Sequence, residues 1–402
     1  DDLGINAASG GIDGSTVTVV TSDGGSIDVG AGNGGGMVID DAELGTVTAT
    51  TLNIQTTSTA TVDSVTAANT ANIGTIDIDV DGTVTVQDVA SVFDAAVILD
   101  GAGGVTLSED VSTQSDAITI NGDVTVNGAR ALNTTSTGAG ANITVTDDIG
   151  GNAGADTLTV TAGTGTATLA YNAGTTTAAA IGATGGVADT LDDLTIASAG
   201  GGITLGNIGI VATSGLEAGS GVLSMPAATT LEGTTYHTID GMTFTNTVTV
   251  DADALTTILV DTNNGVIFQN TVTGVGGNDS LTINTSNNNT NVDFQGGANV
   301  STLSAFTVDA GTGDLDLQNV TAVSGNITLT AGDNANGGNN IGLEGTTITS
   351  TGGSVNVNGD VLLAADVSIT SGGAAGQDIV FDDIVEGTQQ LTLNAGAAGD
   401  VD

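Results

Sequence analysis

The sequence predicts an all-β chain folded as a parallel β-helix, a β-solenoid of short strands with Gly, Asn and Asp corners. Three observations predict it. The first is a recurring triplet in which aliphatic residues flank Thr, Ser, Asp or Asn, the period-two alternation of a strand with one buried face. Val17-Thr18-Val19, Val84-Thr85-Val86, Ile118-Thr119-Ile120, Leu281-Thr282-Ile283 and Leu391-Thr392-Leu393 are examples. The second is a chain that is 39% hydrophobic yet only 2% aromatic, with no Trp. A globular core of this size normally buries many rings, whereas a narrow column can be filled by layers of Val, Ile and Leu. The third is punctuation: 63 Gly against a single Pro. Gly and Asn tolerate the positive φ of tight corners, and a central ladder strand cannot spare the N–H that proline lacks. Strands of three to five residues fit solenoid faces better than an immunoglobulin sandwich. A coil of about 20–25 residues gives about 16–20 coils.

Along the chain, Asp1-Asp2-Leu3-Gly4 has no basic or apolar leader character and reads as a mature end or a cut from a longer protein. Residues 1–75 are rich in Thr, Ala and Gly, and weaker strands are expected there. Gln87 to Leu99 reads as a strand pair in preference to one amphipathic helix. The Thr/Ala/Gly-rich character returns over 130–235. Junction candidates fall at Gly174 to Gly186, and at Gly215 to Glu232 around Pro226. Residues 240–402 hold the most regular triplets. The expected organisation is a portion over 1–235, subdivided near 174–186, and a more regular portion over 236–402.

Charge narrows the function. There are 46 acidic residues against one basic residue, Arg130, for a formal net charge of -45. Such a chain repels nucleic-acid phosphates and anionic membrane surfaces, so neither is an expected partner. No apolar run approaches the ~18–20 residues of a membrane span, so no membrane insertion is expected. Lysine chemistry and thiol chemistry are both absent, because the chain has no Lys and no Cys. Of the acidic residues only 6 are Glu. Asp prefers turns, where its short side chain bonds the local backbone, so the acidity should sit in the corners. This is the composition of an extracellular, often calcium-exposed β protein, and equally of one whose high net charge serves solubility alone, keeping a long β chain from aggregating. A solenoid so charged carries a net charge about every 2 Å, close to the about 1.7 Å of DNA, and should gather divalent cations.

The sharpest local pattern is Asp77-Ile78-Asp79-Val80-Asp81-Gly82-Thr83-Val84-Thr85-Val86-Gln87-Asp88. It matches the calcium loop D-x-D-x-D-G with an acid at position twelve. Asp77, Asp79, Asp81, the Thr83 carbonyl and Asp88 would be the oxygen ligands. The competing reading is plain strand alternation, with Ile76, Ile78, Val80, Val84 and Val86 facing a core. Two Gly-Asp stretches, ending in Asp156-Thr157-Leu158 and Asp279-Ser280-Leu281, resemble half of a calcium β-roll turn. Isolated copies cannot build that shared site, which favours Asp156 and Asp279 as corner residues.

Catalysis has little to work with. His237 is the only histidine, and a triad needs a positioned nucleophile and orienting acid around it. Acidic neighbours such as Asp192-Asp193 and Asp382-Asp383 on a strand would point to opposite faces, which argues against a paired-carboxylate glycosidase. The chain is expected not to be an enzyme, to require no cofactor, and to admit calcium as a ligand.

The run Gly325-Asn326-Ile327-Thr328-Leu329-Thr330-Ala331-Gly332 continues through Asp366-Val367-Ser368-Ile369-Thr370-Ser371-Gly372-Gly373 and Asp378-Ile379-Val380-Phe381 to Leu391-Thr392-Leu393-Asn394-Ala395-Gly396. It resembles the large repetitive bacterial exoproteins of the filamentous-haemagglutinin type, over residues 240–402 and less closely over 95–150. The resemblance implies a right-handed parallel β-helix, secretion to the cell surface and an adhesive or scaffold role. The amino-terminal secretion domain usual in that type is not recognisable in this sequence. The expected function is therefore an extracellular structural or adhesive solenoid, a stalk, fibre or matrix element that self-associates into filaments or arrays and meets a host or neighbouring-cell surface. The alternative is a calcium-organised surface-layer protein or a calcium-binding module of a secreted protein.

Overall fold

The computed structural model describes residues 11–21, 23–31, 36–152, 156–171, 179–182, 191, 193–209, 222–261, 264–286, 290–332 and 341–402. The chain is nearly all-β, with parallel sheets stacked as a β-solenoid of about 13 turns and only 2% helix. It forms two compact units, residues 1–206 and 207–402.

In the first unit, a first face stacks eight parallel strands from Ile12–Val20 to Gly202–Leu205. A second face stacks eight more, ending at Ala180–Ile181. A third face has five, from Ser91–Phe93 to Asp193–Ala199. The second unit repeats the plan with eight strands on each face. Its faces end at Leu391–Asn394, Ile379–Phe381 and Val385–Gly387. The third faces carry thirteen strands, one for each complete three-sided turn, against sixteen on the first faces. Coils vary from 19 residues, Thr229 to Val248, to 36, Thr166 to Gly202. The earliest coils also carry helical turns where the third strand would lie.

Those turns are Asp41–Leu44 and Ala67–Thr70. The first is closed by a capping box: Glu43 N–H donates to Asp40 Oδ1 at 2.7 Å, and Asp40 N–H donates to Glu43 Oε2 at 3.0 Å. The two are tied together where Asn69 Nδ2 and Thr66 Oγ1 donate to Asp41 at 2.7 and 2.8 Å. Met37–Asp40 does not advance to the next coil. It folds back beside Ile27–Gly30, on the side away from Ala60–Asp63, and covers that edge of the second face.

Alternation along each strand sends aliphatic side chains inward, and register stacks them into columns. Ile76, Val97, Ile118 and Ile143 form one column on consecutive first-face strands, each fully buried. Val84, Val105, Val124 and Ile149 form its counterpart on the second face. Each such side chain contributes about 1.5–3 kcal/mol through burial. The few aromatic rings follow the same rule. Phe244, Phe268 and Phe294 stack with centroids 5.0 and 4.8 Å apart, and Phe306 meets Phe294 edge-on at 5.9 Å.

Two expectations meet different outcomes. Gln87 to Leu99 is indeed a strand pair, Ser91–Phe93 followed by Ala96–Gly101. The weak strands expected before residue 75 are instead the longest, Ile12–Val20 with 9 residues and Val47–Thr56 with 10. Thr sustains period-two alternation as well as Val does, so a Thr-rich window lengthens a half-buried strand. Most of 174–186, and the 215–221 part of the other junction candidate, lie outside the described residues.

Candidate functional site

Carboxylates are the abundant functional groups, and they divide into two kinds by where the strand period puts them. The outward kind includes the residues of the D-x-D-x-D-G pattern. Asp77 and Asp79 lie on the first-face strand Ile73–Val80, alternating with the buried Ile76, Ile78 and Val80. Asp79 stands in register between Gln55 and Asp100, and Asp100 is followed by Asn121. Gln55 Nε2 donates to Asp79 at 3.2 Å and Asn121 Nδ2 to Asp100 at 3.3 Å, so that two adjacent carboxylates are flanked by an amide on either side. Partial burial, then the neighbouring charges of Asp79 and Asp100, raise the Asp77 carboxyl above the ordinary carboxylate range.

The rest of that pattern goes elsewhere. Asp81 and Gly82 turn the corner, their N–H groups donating to Thr56 O at 3.1 Å and Ser58 O at 2.8 Å. The Thr83 carbonyl, the expected calcium ligand, accepts from Ala60 N–H at 3.1 Å. Asp88 lies beyond the second-face strand Val84–Val86, at φ +60°. The twelve residues thus cover one strand, a corner and a second strand, and the five ligand positions are not gathered in one loop. Among the described residues, no group of three or more His, Cys, Asp or Glu side chains is arranged to hold a metal ion.

The second kind of carboxylate is buried and bonded to backbone. Asp279 is fully buried. Its Oδ2 accepts from Val275 N–H at 3.0 Å and Gly276 N–H at 2.7 Å, and its Oδ1 accepts from Asp253 N–H, one coil earlier, at 2.9 Å. Asp156, only 4% exposed, repeats the arrangement. It accepts from Asn152 N–H at 2.6 Å and from Gly128 N–H, a coil earlier, at 2.5 Å. Both aspartates of the half-β-roll stretches therefore close their own turn and pin it to the adjacent coil. Residues 153–155 of the first stretch lie outside the described residues.

The inter-coil bond alone recurs, mostly on less buried carboxylates, at positions that motif reading passed over. Asp63 accepts from Val89 N–H, Asp110 from Ala131, Asp148 from Ala180, Asp366 from Gln390 and Asp378 from Asp400, at 2.7 to 3.1 Å. Asn does it neutrally: Asn319 Oδ1 accepts from Thr346 and Thr347, and Asn207 Oδ1 from Thr234 and Thr235. The sequence signal is an Asx residue at a corner with a second corner one coil away. It cannot be read until coil lengths are known.

Outward carboxylates crowd elsewhere too. Burial, then Asp293, Glu344 and Asp314, raises the Asp316 carboxyl. Burial leads in raising Asp116, Asp148 and Asp251 as well. A shallow groove at one corner of the first unit is lined by Asp100, Asn121, Asp123 and Asp147 over the backbone of Gly101 to Gly104.

The single histidine and single arginine are both engaged. His237 is 3% exposed, and its Nε2 lies 2.6 Å from Asp261 Oδ2. Arg130 donates from Nε to Asn127 O at 2.6 Å and lies 3.6 Å from Glu109. Asp382 and Asp383 are exposed at a corner, where Asp383 Oδ1 accepts from Ile384 N–H at 2.9 Å. Asp192 lies outside the described residues. Among the described residues, no helix is long and apolar enough to cross a membrane. No protein-family model, curated protein or solved structure matches the chain.

Proposed function

We propose that the chain is an extracellular structural or adhesive element, a piece of stalk, fibre or matrix whose work is mechanical. The observation that carries this reading is the cross-linking of successive coils. Parallel ladders hold each coil to the next, and buried carboxylates such as Asp279 and Asp156 add backbone clamps in the same direction. A structure built this way resists being pulled apart coil by coil. Its outward acids keep neighbouring molecules soluble and apart, or bridged through divalent cations. Self-association into filaments or arrays follows in this reading from parallel sheets whose edges can accept another strand.

Single-molecule pulling tests the mechanical role. Force should release coils in steps of about 60–130 Å, the extended length of one coil. Unravelling at negligible force without steps would count against it. Antibody labelling of intact source cells tests the location, which an exclusively internal signal would contradict.

A second reading, a calcium-organised lattice or calcium-binding module, draws on the Asp77, Asp79 and Asp100 group, whose mutual repulsion a cation would relieve. Calorimetric titration of Asp79→Ala beside the parent separates the two. Equal calcium heats would remove this second reading.

A further inference from the structure

We propose that the corner carboxylates Asp147 and Asp156 shield two Asn-Gly steps from rearranging to isoaspartate. The steps are Asn121-Gly122 and Asn127-Gly128, one at each end of the second-face strand Val124–Val126.

Asn-Gly is chemically the weakest step in such a chain, because glycine has no Cβ to keep its nitrogen from the preceding side chain. The Gly nitrogen attacks Asn Cγ and a C–N bond forms. The side-chain amide leaves as ammonia, taking the Gly N–H proton, and a succinimide ring remains. Water then opens either imide carbonyl, giving aspartate or isoaspartate. Isoaspartate lengthens the main chain by one methylene. Within a solenoid it would shift the following strand against its neighbours and turn inward side chains out of their columns.

At both steps the two reacting groups are held, and they are held in opposite directions along the stack. Asn121 Nδ2 donates to Asp100 Oδ2 in the preceding coil at 3.3 Å, while Gly122 N–H donates to Asp147 Oδ2 in the following coil at 2.9 Å. Asn127 Nδ2 donates to Ser108 Oγ in the preceding coil at 3.1 Å, while Gly128 N–H donates to Asp156 Oδ1 in the following coil at 2.5 Å. The electrophile is drawn one way and the nucleophile the other. An N–H bonded to a carboxylate also resists losing its proton, the event that makes the nitrogen nucleophilic. Both glycines sit at positive φ, +103° and +83°, so replacing them with a bulkier residue is not an open alternative. Each shield is itself fixed: Asp147 Oδ2 accepts from Thr146 Oγ1 at 3.0 Å, and Asp156 Oδ2 from Asn152 N–H at 2.6 Å. Asn264-Gly265 serves as the internal comparison, since among the described residues no carboxylate holds its Gly N–H.

The test is ageing of the folded chain at mildly alkaline pH, with deamidation and isoaspartate mapped by peptide mass spectrometry. Asn264 should convert at least about tenfold faster than Asn121 and Asn127, and unfolding in urea should erase the difference. Asp147→Ala should accelerate conversion at Asn121 alone, and Asp156→Ala at Asn127 alone. Asp147→Asn keeps one oxygen to accept from both Gly122 N–H and Thr146 Oγ1 and should speed Asn121 less than Asp147→Ala does, which separates shielding from loss of fold. Equal ageing of all three steps in the folded parent would overturn the proposal. So would a folded Asp147→Ala variant whose Asn121 ages no faster.

Discussion

Asp79 and Asp279 are the same residue type put to opposite uses. Asp79 stands on an outer face and bonds one glutamine amide; Asp279 is buried beneath a corner and accepts three backbone N–H groups. Asp279→Ala leaves those donors without an acceptor and should cost about 2–4 kcal/mol. Asp79→Ala should stay within about 0.5 kcal/mol of the parent. Urea unfolding of the two variants checks the contrast, and equal midpoints would contradict it. The outward carboxyls also set a pH dependence. Asp77 and Asp316 are raised in the folded state above the ordinary carboxylate value of 3.8, chiefly by burial and then by neighbouring acids. A raised carboxyl binds its proton more tightly when folded, so its contribution to stability is present below the unfolded value. That contribution is lost as pH rises through the folded value. Stability should therefore fall as pH rises above 3.8 through that window. Asp316→Asn should raise Tm at neutral pH and flatten the dependence; a lower Tm would contradict the assignment. The sequence showed which residues were acidic but not which were buried. In Asp77 to Asp88 the D-x-D spacing of a calcium loop is also the period of a strand, and only tertiary pairing decides between them.

Strands and turns were legible wherever a local period existed. Triplets such as Val84-Thr85-Val86 and Leu391-Thr392-Leu393 became strands at their expected places. The helical turns Asp41–Leu44 and Ala67–Thr70 were not legible, because four residues cannot display a helical period. The fold-back of Met37–Asp40 was hidden for a different reason: it looks like any other strand, and only its pairing partner reveals it. Two element-scale outcomes follow. Phe268 lies in the middle of the ring stack, and Phe268→Ala should cost about 3–5 kcal/mol, seen as a shifted unfolding midpoint for the second unit. Arg130, the sole trypsin site, lies within the strand Ala129–Asn133, paired on both sides to Val111–Thr113 and Thr157–Gly163. The native chain should resist trypsin, and a single cut should appear only as the first unit opens. Rapid cutting under native conditions would contradict that pairing.

For the molecule as a whole, a net charge of -45 is an unfavourable self-energy that the fold must overcome. Some of that acid is put to use, since buried carboxylates accept N–H groups that corners would otherwise leave unpaired. The composition alone supported two accounts of the acidity, cation ligands or a solubilising coat. The structure adds a third, clamps between coils, which needs neither a cation nor solvent. Ladders, aliphatic columns and these clamps hold the solenoid together without a cation. A far-UV circular dichroism melt in EDTA, repeated with millimolar calcium, tests this most directly. The same β signal and the same Tm are expected in both. A Tm raised sharply by calcium, or a β signal that forms only in its presence, would contradict it.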